Sequence, residues 1–255
     1  MPLHADAEQA GVRHIAQETL GSTNAEALAL ARAGERGPLW ITAARQTAGR
    51  GRRGNAWTSP PGNLYASLLL TDAAPSCQLP ELCFVAALAL RDALCALAPA
   101  IEPRLKLKWP NDLLLDGAKL AGILIEAESV GGASATVVGI GVNCAHHPGV
   151  TAYPATDLAA HGVAVTPAAL FGALSGAMVA RLAQWDRGAG FAAIRAAWLT
   201  HGAGVGSAIV VRLANRELTG RFESLDSAGR LLLRLPAGEL ETVTAGEIFP
   251  FKVSA

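Results

Sequence analysis

The stretch 113–126, LLLDGAKLAGILIE, commits this chain to a sheet that is covered on both faces. Asp116-Gly117 is a residue pair that tolerates the two positive-φ positions of a type I′ turn, so residues 113–115 and 119–126 read as the arms of a hairpin. Along the second arm, Leu120-Ala121-Gly122-Ile123-Leu124-Ile125 is apolar at odd and even positions alike. A strand with one wet face alternates; one that stays apolar is buried on both sides. Helices must therefore cover the sheet, and a composition of 51% hydrophobic and 16% charged residues can supply them. At 255 residues the chain suits one large domain, or a large and a small one.

The remaining pattern is mixed α and β. Thr23-Asn24-Ala25-Glu26 reads as a capping box that opens a helix running to Ala33 and stopping at Gly34. Residues 38–44 and 64–70 are strand-like, and 135–143 read as a buried strand. Pro80 opens a helix near 80–97 that Pro99 ends. After Pro167, the residues Leu170, Leu174, Met178, Leu182 and Trp185 recur at helical spacing and form a core stripe. Residues 191–200 are another short helix. Beyond the glycine-rich stretch 202–206, short alternating strands between turns mark a small β barrel. The expected division is 1–203 and 204–255.

Chemistry concentrates in two places. Residues 49–57 read GRGRRGNAW, with Arg50, Arg52 and Arg53 inside four positions of a chain whose formal net charge is +0. Glycines there let the backbone bend and bring N–H groups to an anion. Guanidinium stays charged and grips phosphate or carboxylate through paired hydrogen bonds. On these residues alone three readings stay open: an anion grip, a solvated basic turn, or a glycine–arginine segment that touches nucleic acid. No GxxxxGK[ST] is present, and GRGRRG is a weak dinucleotide signal. The second place is KWPND, from Lys108 to Asp112, with Lys119 beyond it. Pro110-Asn111-Asp112 reads as a turn, which sets the two lysines at opposite ends of one sheet element. A lysine leading into a buried strand carries its ammonium into a desolvated place and there needs an anion. The alternative is two exposed hairpin lysines.

In this order, GRGRRGNAW, KWPND and KLAGILIE resemble the catalytic domain of the biotin–protein ligases. Ser22-Thr23-Asn24 is similar to that family's substrate-binding triplet, Gln46 stands four before Arg50 as it does there, and Gly139 to Asn143 resembles its GxGxN strand. Asp226, Gly229 to Leu233, and Gly246-Glu247-Ile248 are similar to its C-terminal barrel. The likeness spans roughly residues 12–250. It implies an α+β fold: a mixed central β-sheet flanked by helices, of the class II synthetase-like kind, with a small SH3-like barrel. It implies a ligase in which the biotin carboxylate attacks the α-phosphate of ATP, giving biotinyl-adenylate and pyrophosphate. A lysine of a biotin carboxyl carrier protein then attacks the mixed anhydride, and Mg²⁺ is expected on the phosphates.

The same resemblance distributes roles. Ser22, Thr23, Asn24, Gln46, Arg50, Gly51, Arg52 and Lys119 are expected to contact biotin or its adenylate. Arg50, Arg52, Lys108 and Lys119 are the expected catalytic cations, and Lys108, Asn143 and Trp198 the ATP-binding residues. Trp198 either stacks on adenine or only packs. Thr23 also reads as a helix cap. Asp112 orients the incoming amine, binds metal or fixes the turn, and Arg53 is a loop residue. A Gly/Arg loop with few apolar anchors is expected to be poorly ordered when empty and to close over the intermediate.

Other expectations bound the reading. Lipoate–protein ligases share the fold and the adenylation logic, so GRGRRG with KWPND is what points to biotin. Only about 20 residues precede Ser22, which suits a monofunctional ligase without a DNA-binding helix-turn-helix. Twenty-one Lys+Arg against 21 Asp+Glu leave no basic surplus for a nucleic-acid partner. No apolar run is long enough for a membrane span, and MPLHADAEQAG has no secretory core, so a cytoplasmic protein is expected. Cys77, Cys83, Cys95 and Cys144 lack CxxC spacing and read as reduced thiols; the six histidines read as surface or loop residues. An unpaired edge of the large sheet is compatible with a homodimer.

Overall fold

The covered strand is third from one edge of a seven-stranded sheet. In chain order its strands are β1 (Arg13–Leu20), β2 (Leu39–Gln46), β3 (Leu64–Thr71), β4 (Leu105–Lys108), β5 (Asp112–Leu115), β6 (Ala118–Val130) and β7 (Ala133–Val142). Across the sheet the order is β1-β2-β3-β7-β6-β5-β4. Only β1 and β2 run parallel; every other neighbouring pair is antiparallel. The computed structural model describes residues 1–149, 151 and 153–250, so the last five residues of the expected barrel segment lie outside the described residues. The hairpin turn forms as its residues require, with Asp116 at φ 50° and Gly117 at φ 77°.

Both faces of the sheet are apolar because helices lie on both. On one side α2 (Thr23–Arg32) sets Ala27, Leu28 and Ala31 against Leu39, Ile41, Leu69 and Val137. On the other, α3 (Leu82–Leu97), α4 (Pro167–Trp185) and α5 (Phe191–His201) pack on the alternate residues Trp40, Leu68, Val138 and Ile140. Period-2 alternation within β2, β3 and β7 thus feeds two cores at once.

Several boundaries differ from the sequence reading, each for a local reason. Pro80 lies inside a 3₁₀ turn, Ser76–Glu81, and the α-helix begins only at Leu82. The cap of α2 is Ser22, whose Oγ accepts from the Ala25 N–H; Thr23 is the first helical residue, so the cap stands one position earlier than expected. The short helix α1 (Ala5–Gln9) and the edge strand β1 carry no pattern that marks them in the sequence. Strand β1 is mostly exposed and needs little apolar patterning. His14, expected on the surface or in a loop, lies in β1 with its ring 4.6 Å from Phe171.

After the helices come β8 (Ala208–Arg212), β9 (Glu217–Leu225), β10 (Leu231–Arg234), β11 (Leu240–Val243) and β12 (Glu247–Pro250), in a second, antiparallel sheet of order β11-β10-β9-β8-β12. It is keyed to the large sheet beside KWPND. The buried Trp109 donates its indole N–H to the Gly229 carbonyl at 3.0 Å. Gly229 itself sits at φ 76°, where a Cβ would fall 2.7 Å from the Phe84 ring.

Candidate active site

Two motifs far apart in sequence meet at one cavity of about 490 Å³. Its first end is neutral. Gln46, at the last position of β2, accepts at Oε1 from the backbone N–H of Thr23 (2.9 Å) and from the Thr23 hydroxyl (3.1 Å). Its amide nitrogen donates to Ser59 Oγ at 2.9 Å. Ser67 Oγ of β3 lies 2.7 Å from Thr23 Oγ1 and 2.6 Å from Asn24 Oδ1, and Asn24 Nδ2 donates to Glu126 at 2.8 Å. Ser22, Thr23 and Asn24 are buried, and these bonds over-determine the orientations of Thr23 and Asn24. Glycine at 139 is a condition of this arrangement: a Cβ there would stand 2.2 Å from Asn24 Oδ1. Gly141 meets the same demand from the other side, with Trp57 Nε1 2.6 Å from where its Cβ would be. The GxG of Gly139-Ile140-Gly141 is thus a slot for two side chains.

The second end is cationic. Lys108 closes β4 and is 6% exposed; its ammonium stands 3.6 Å from the Tyr153 ring centroid, 5.3 Å from that of Phe249 and 3.8 Å from Asp112 Oδ2. Burial pushes its pKa below the ordinary lysine range, and the Asp112 carboxylate partly restores it. Lys119 Nζ is 2.6 Å from Asp112 Oδ1, but off the hydrogen-bond direction, so that oxygen keeps no aligned donor. The deep desolvation expected of Lys119 therefore belongs to Lys108; the Lys119 side chain keeps 28% of its exposure. Asp112 serves both lysines as counter-ion.

The arginine loop joins the two ends. Arg50 donates to Glu126 Oε2 at 3.1 Å, the same oxygen that Asn24 uses. Arg52 donates to Asn111 Oδ1 at 3.1 Å, and Asn111 is pinned in turn by its own donation to the Ile123 carbonyl at 2.8 Å. Asn111 of the Pro-Asn-Asp turn is thus the peg on which the loop hangs. Within the loop, Gly51 N–H donates to the Asn55 carbonyl at 2.7 Å, and Arg53 takes a left-handed backbone (φ 55°) with its side chain outward. Trp57 anchors the loop's end against Gly122 and Gly141, with its buried indole N–H unpartnered among the described residues.

Ser22, Thr23, Asn24, Gln46, Arg50, Gly51, Arg52, Lys108, Lys119 and Asn143 all line this cavity. Trp198 does not. It is 1% exposed in α5, with ring centroids 5.6 Å from Phe84 and 6.4 Å from Phe222, so it fills the joint between the helices and the second sheet and cannot stack on a nucleotide. The sequence reading gave no role to Trp57, Asn111, Tyr153 or Glu247, which also line the cavity. Trp57 and Asn111 belong to GRGRRGNAW and KWPND themselves; nothing in the residues around Tyr153 signals it. Glu247, from β12, brings the second sheet to the site.

Residues 20–143 match the model of the biotin/lipoate A/B protein ligase family, and residues 204–249 that of the biotin protein ligase C-terminal domain. The chain is 45% identical to the biotin–[acetyl-CoA-carboxylase] ligase of Paracoccus denitrificans over 89% of its own length and 96% of that protein's. The chain belongs to the biotin protein ligase family. Among relatives it is also 34% identical to the biotin–[acetyl-CoA-carboxylase] ligase of Mycobacterium tuberculosis, over 89% of this chain and 85% of that one. The Aquifex aeolicus biotin protein ligase solved with biotin and ATP shares the fold, at a TM-score of 0.78 and 24% identity over 93% of this chain and 97% of that one. This biotin ligase family member therefore matches both family models, and Glu247 from the C-terminal match reaches the cavity.

Proposed function

We propose that this chain activates biotin with ATP to biotinyl-5′-AMP and transfers the biotinyl group to a lysine of a carboxylase's biotin carboxyl carrier protein. One observation carries the reading: a fixed neutral hydrogen-bonding end and a four-cation end open into a single cavity. The neutral end suits a ureido ring, which needs both donors and acceptors. The cationic end suits the step that follows. A carboxylate attacking a phosphate brings two anions together, and unit charges about 4 Å apart interact by ~4 kcal/mol at an effective dielectric near 20. Arg50, Arg52, Lys108 and Lys119 are set to offset that repulsion as charge develops on the α-phosphate. In the second half-reaction the carrier lysine's neutral amine attacks the anhydride carbonyl, an amide forms, and AMP leaves with the bonding electrons.

The relatives support biotin rather than lipoate. The commitment of Arg50 to Glu126 and of Arg52 to Asn111, both at the cavity, weighs against nucleic acid as the partner of this loop. Among the described residues no three His, Cys, Asp or Glu side chains converge as a metal cage, and Asp112 is already committed to two ammoniums. A Mg²⁺ carried chiefly by the ATP phosphates needs no such cage and stays part of the proposal. No helix of the described residues is long and apolar enough to cross a membrane; a cytoplasmic setting, a catalytic segment 1–203 with a barrel segment from 204, and a homodimer joined at a sheet edge are part of the same proposal.

The test is ATP–pyrophosphate exchange with biotin, lipoate and octanoate in parallel, followed by transfer to a purified carrier domain. Exchange is expected with biotin. Exchange indifferent to biotin, or stronger with either fatty acid, overturns the reading.

A further inference from the structure

Lys119 has a hairpin partner on one side only; on the other it is flanked by chain without regular structure. Its N–H donates to the Pro154 carbonyl at 2.7 Å, and its carbonyl accepts from the Thr156 N–H at 3.0 Å. The position of this lysine therefore depends on what holds residues 154–156. That is Asn143: its Nδ2 donates to the Thr156 carbonyl at 3.0 Å, its N–H to the Leu120 carbonyl at 2.9 Å, and its own carbonyl accepts from the Leu158 N–H at 3.1 Å. Asn143 is the rivet between β6 and the irregular segment.

The residues that follow Asn143, 144–146, are held by a residue remote in sequence that lines no part of the cavity. Asn63 is 2% exposed at the start of β3. Its Oδ1 accepts from three consecutive backbone N–H groups, those of Cys144 (2.9 Å), Ala145 (2.9 Å) and His146 (3.1 Å), and its Nδ2 donates to the His146 carbonyl at 2.8 Å. One amide thus satisfies four backbone groups where the chain leaves β7. A buried backbone group left without a partner is costly, so residues 144–146 take this shape only while the amide is there.

We propose that Asn63 is a positioning residue for the adenylation step, fixing Asn143 and, through the Thr156 segment, the placement of Lys119. This rests on the ligase reading. The neutral end is built on α2, β2 and β3 by bonds that do not pass through Asn63. A defect at Asn63 is therefore directed to the cationic end, and biotin recognition is spared. The two segments are also tied by His147 Nδ1 and Asp157 Oδ2 at 2.6 Å, a second strap that does not involve Asn63.

The test compares Asn63→Ala with Asn63→Asp in the full chain, by calorimetric biotin affinity, ATP–pyrophosphate exchange and thermal melting. Asn63→Ala is expected to lower exchange kcat by about tenfold or more and raise KM for ATP, while the biotin Kd moves less than about threefold. Asn63→Asp keeps an acceptor for the three N–H groups, loses only the donation to the His146 carbonyl, and is expected to retain at least about threefold more exchange than Asn63→Ala. Equal losses in biotin affinity and exchange, no loss at all, or an Asp variant as impaired as the Ala variant each overturn the proposal. So does an Ala variant that fails to fold beside a fully active Asp variant, which makes the residue a folding determinant. Absence of biotin-dependent exchange in the unaltered chain sinks the ligase reading instead.

Discussion

The two ends of the cavity are built by opposite means. At the neutral end, Thr23, Asn24, Gln46 and Ser67 are hydrogen-bonded to one another, every bond near normal length. At the cationic end the partners are looser: Asp112 stands 3.8 Å from one ammonium and off the hydrogen-bond direction of the other, and the Trp57 N–H has no acceptor among the described residues. The contrast follows from what each end handles. A neutral heterocycle offers modest bonds, each worth about 1 kcal/mol net, so recognition depends on donors and acceptors that are already aimed. Phosphates offer strong charge-assisted bonds, and there the need is to keep several like charges together in their absence. Glu126 and Asp112 do this as internal counter-ions. If the contrast is right, damage at the cationic end appears in turnover and damage at the neutral end in biotin affinity.

The largest effect is expected where a single cation is removed from the chemistry. Lys119→Ala should lower exchange kcat by about 10²–10³, the loss typical of deleting one preorganised group that faces developing charge, or about 3–4 kcal/mol. Biotin Kd should change far less. Steady-state exchange beside calorimetry reads both; parallel losses would erase the distinction between the ends.

Gly139→Ala attacks the other end with a single methyl. Its Cβ would lie 2.2 Å from Asn24 Oδ1, and Asn24 cannot simply swing away because Ser67 and Glu126 hold it. Biotin affinity should fall by about 10- to 100-fold, with kcat at saturating biotin changed much less. A kcat defect without an affinity defect would count against the division.

A smaller effect tests the burial of Lys108. Its folded-state pKa is lowered, so over part of the alkaline range the folded chain binds fewer protons than the unfolded chain, and stability rises with pH there. The window runs from that lowered value up to the ordinary lysine value of 10.5. Relative to Lys108→Met, which has no proton to lose, the unaltered chain should gain melting temperature as pH climbs through this window. The slope should stay below about 1.4 kcal/mol per pH unit. A flat difference across the range would mean that Asp112 neutralises the desolvation entirely.

Local signals make the fold legible and leave the site half read. The apolar run of β6 with its Asp-Gly turn points to the covered sheet, because strand burial and turn chemistry are written in adjacent residues. The five-residue α1 and the exposed β1 leave no such trace. Trp198 shows the limit of resemblance: the ATP-binding role it suggested falls on a ring packed against Phe84 and Phe222. Gln46 and the Ser-Thr-Asn triplet are legible through resemblance, whereas their geometry depends on Ser67 and Ser59, plain serines with no motif. Asn111 and Glu126 stand inside KWPND and KLAGILIE, yet their partners Arg52 and Arg50 lie 59 and 76 positions away. Pairings of that kind are settled by topology, which residue patterns do not encode.

Glu126 is the point where the two ends touch, since Oε2 accepts from both Asn24 and Arg50. Its exchange for glutamine gives the smallest effect and the sharpest discrimination between them. Glu126→Gln keeps an oxygen for Asn24 Nδ2 but withdraws the charge that competes with phosphate for Arg50. The Arg50 and Glu126 side chains retain 45% and 27% of their exposure, so the pair is worth at most about 1 kcal/mol. KM for ATP should therefore fall by no more than about fivefold, and the change should shrink as salt is raised. Biotin affinity should hold. A tenfold loss of biotin affinity would show that the carboxylate's charge serves Asn24 rather than the loop, and the counter-ion account of the cationic end would then rest on Asp112 alone.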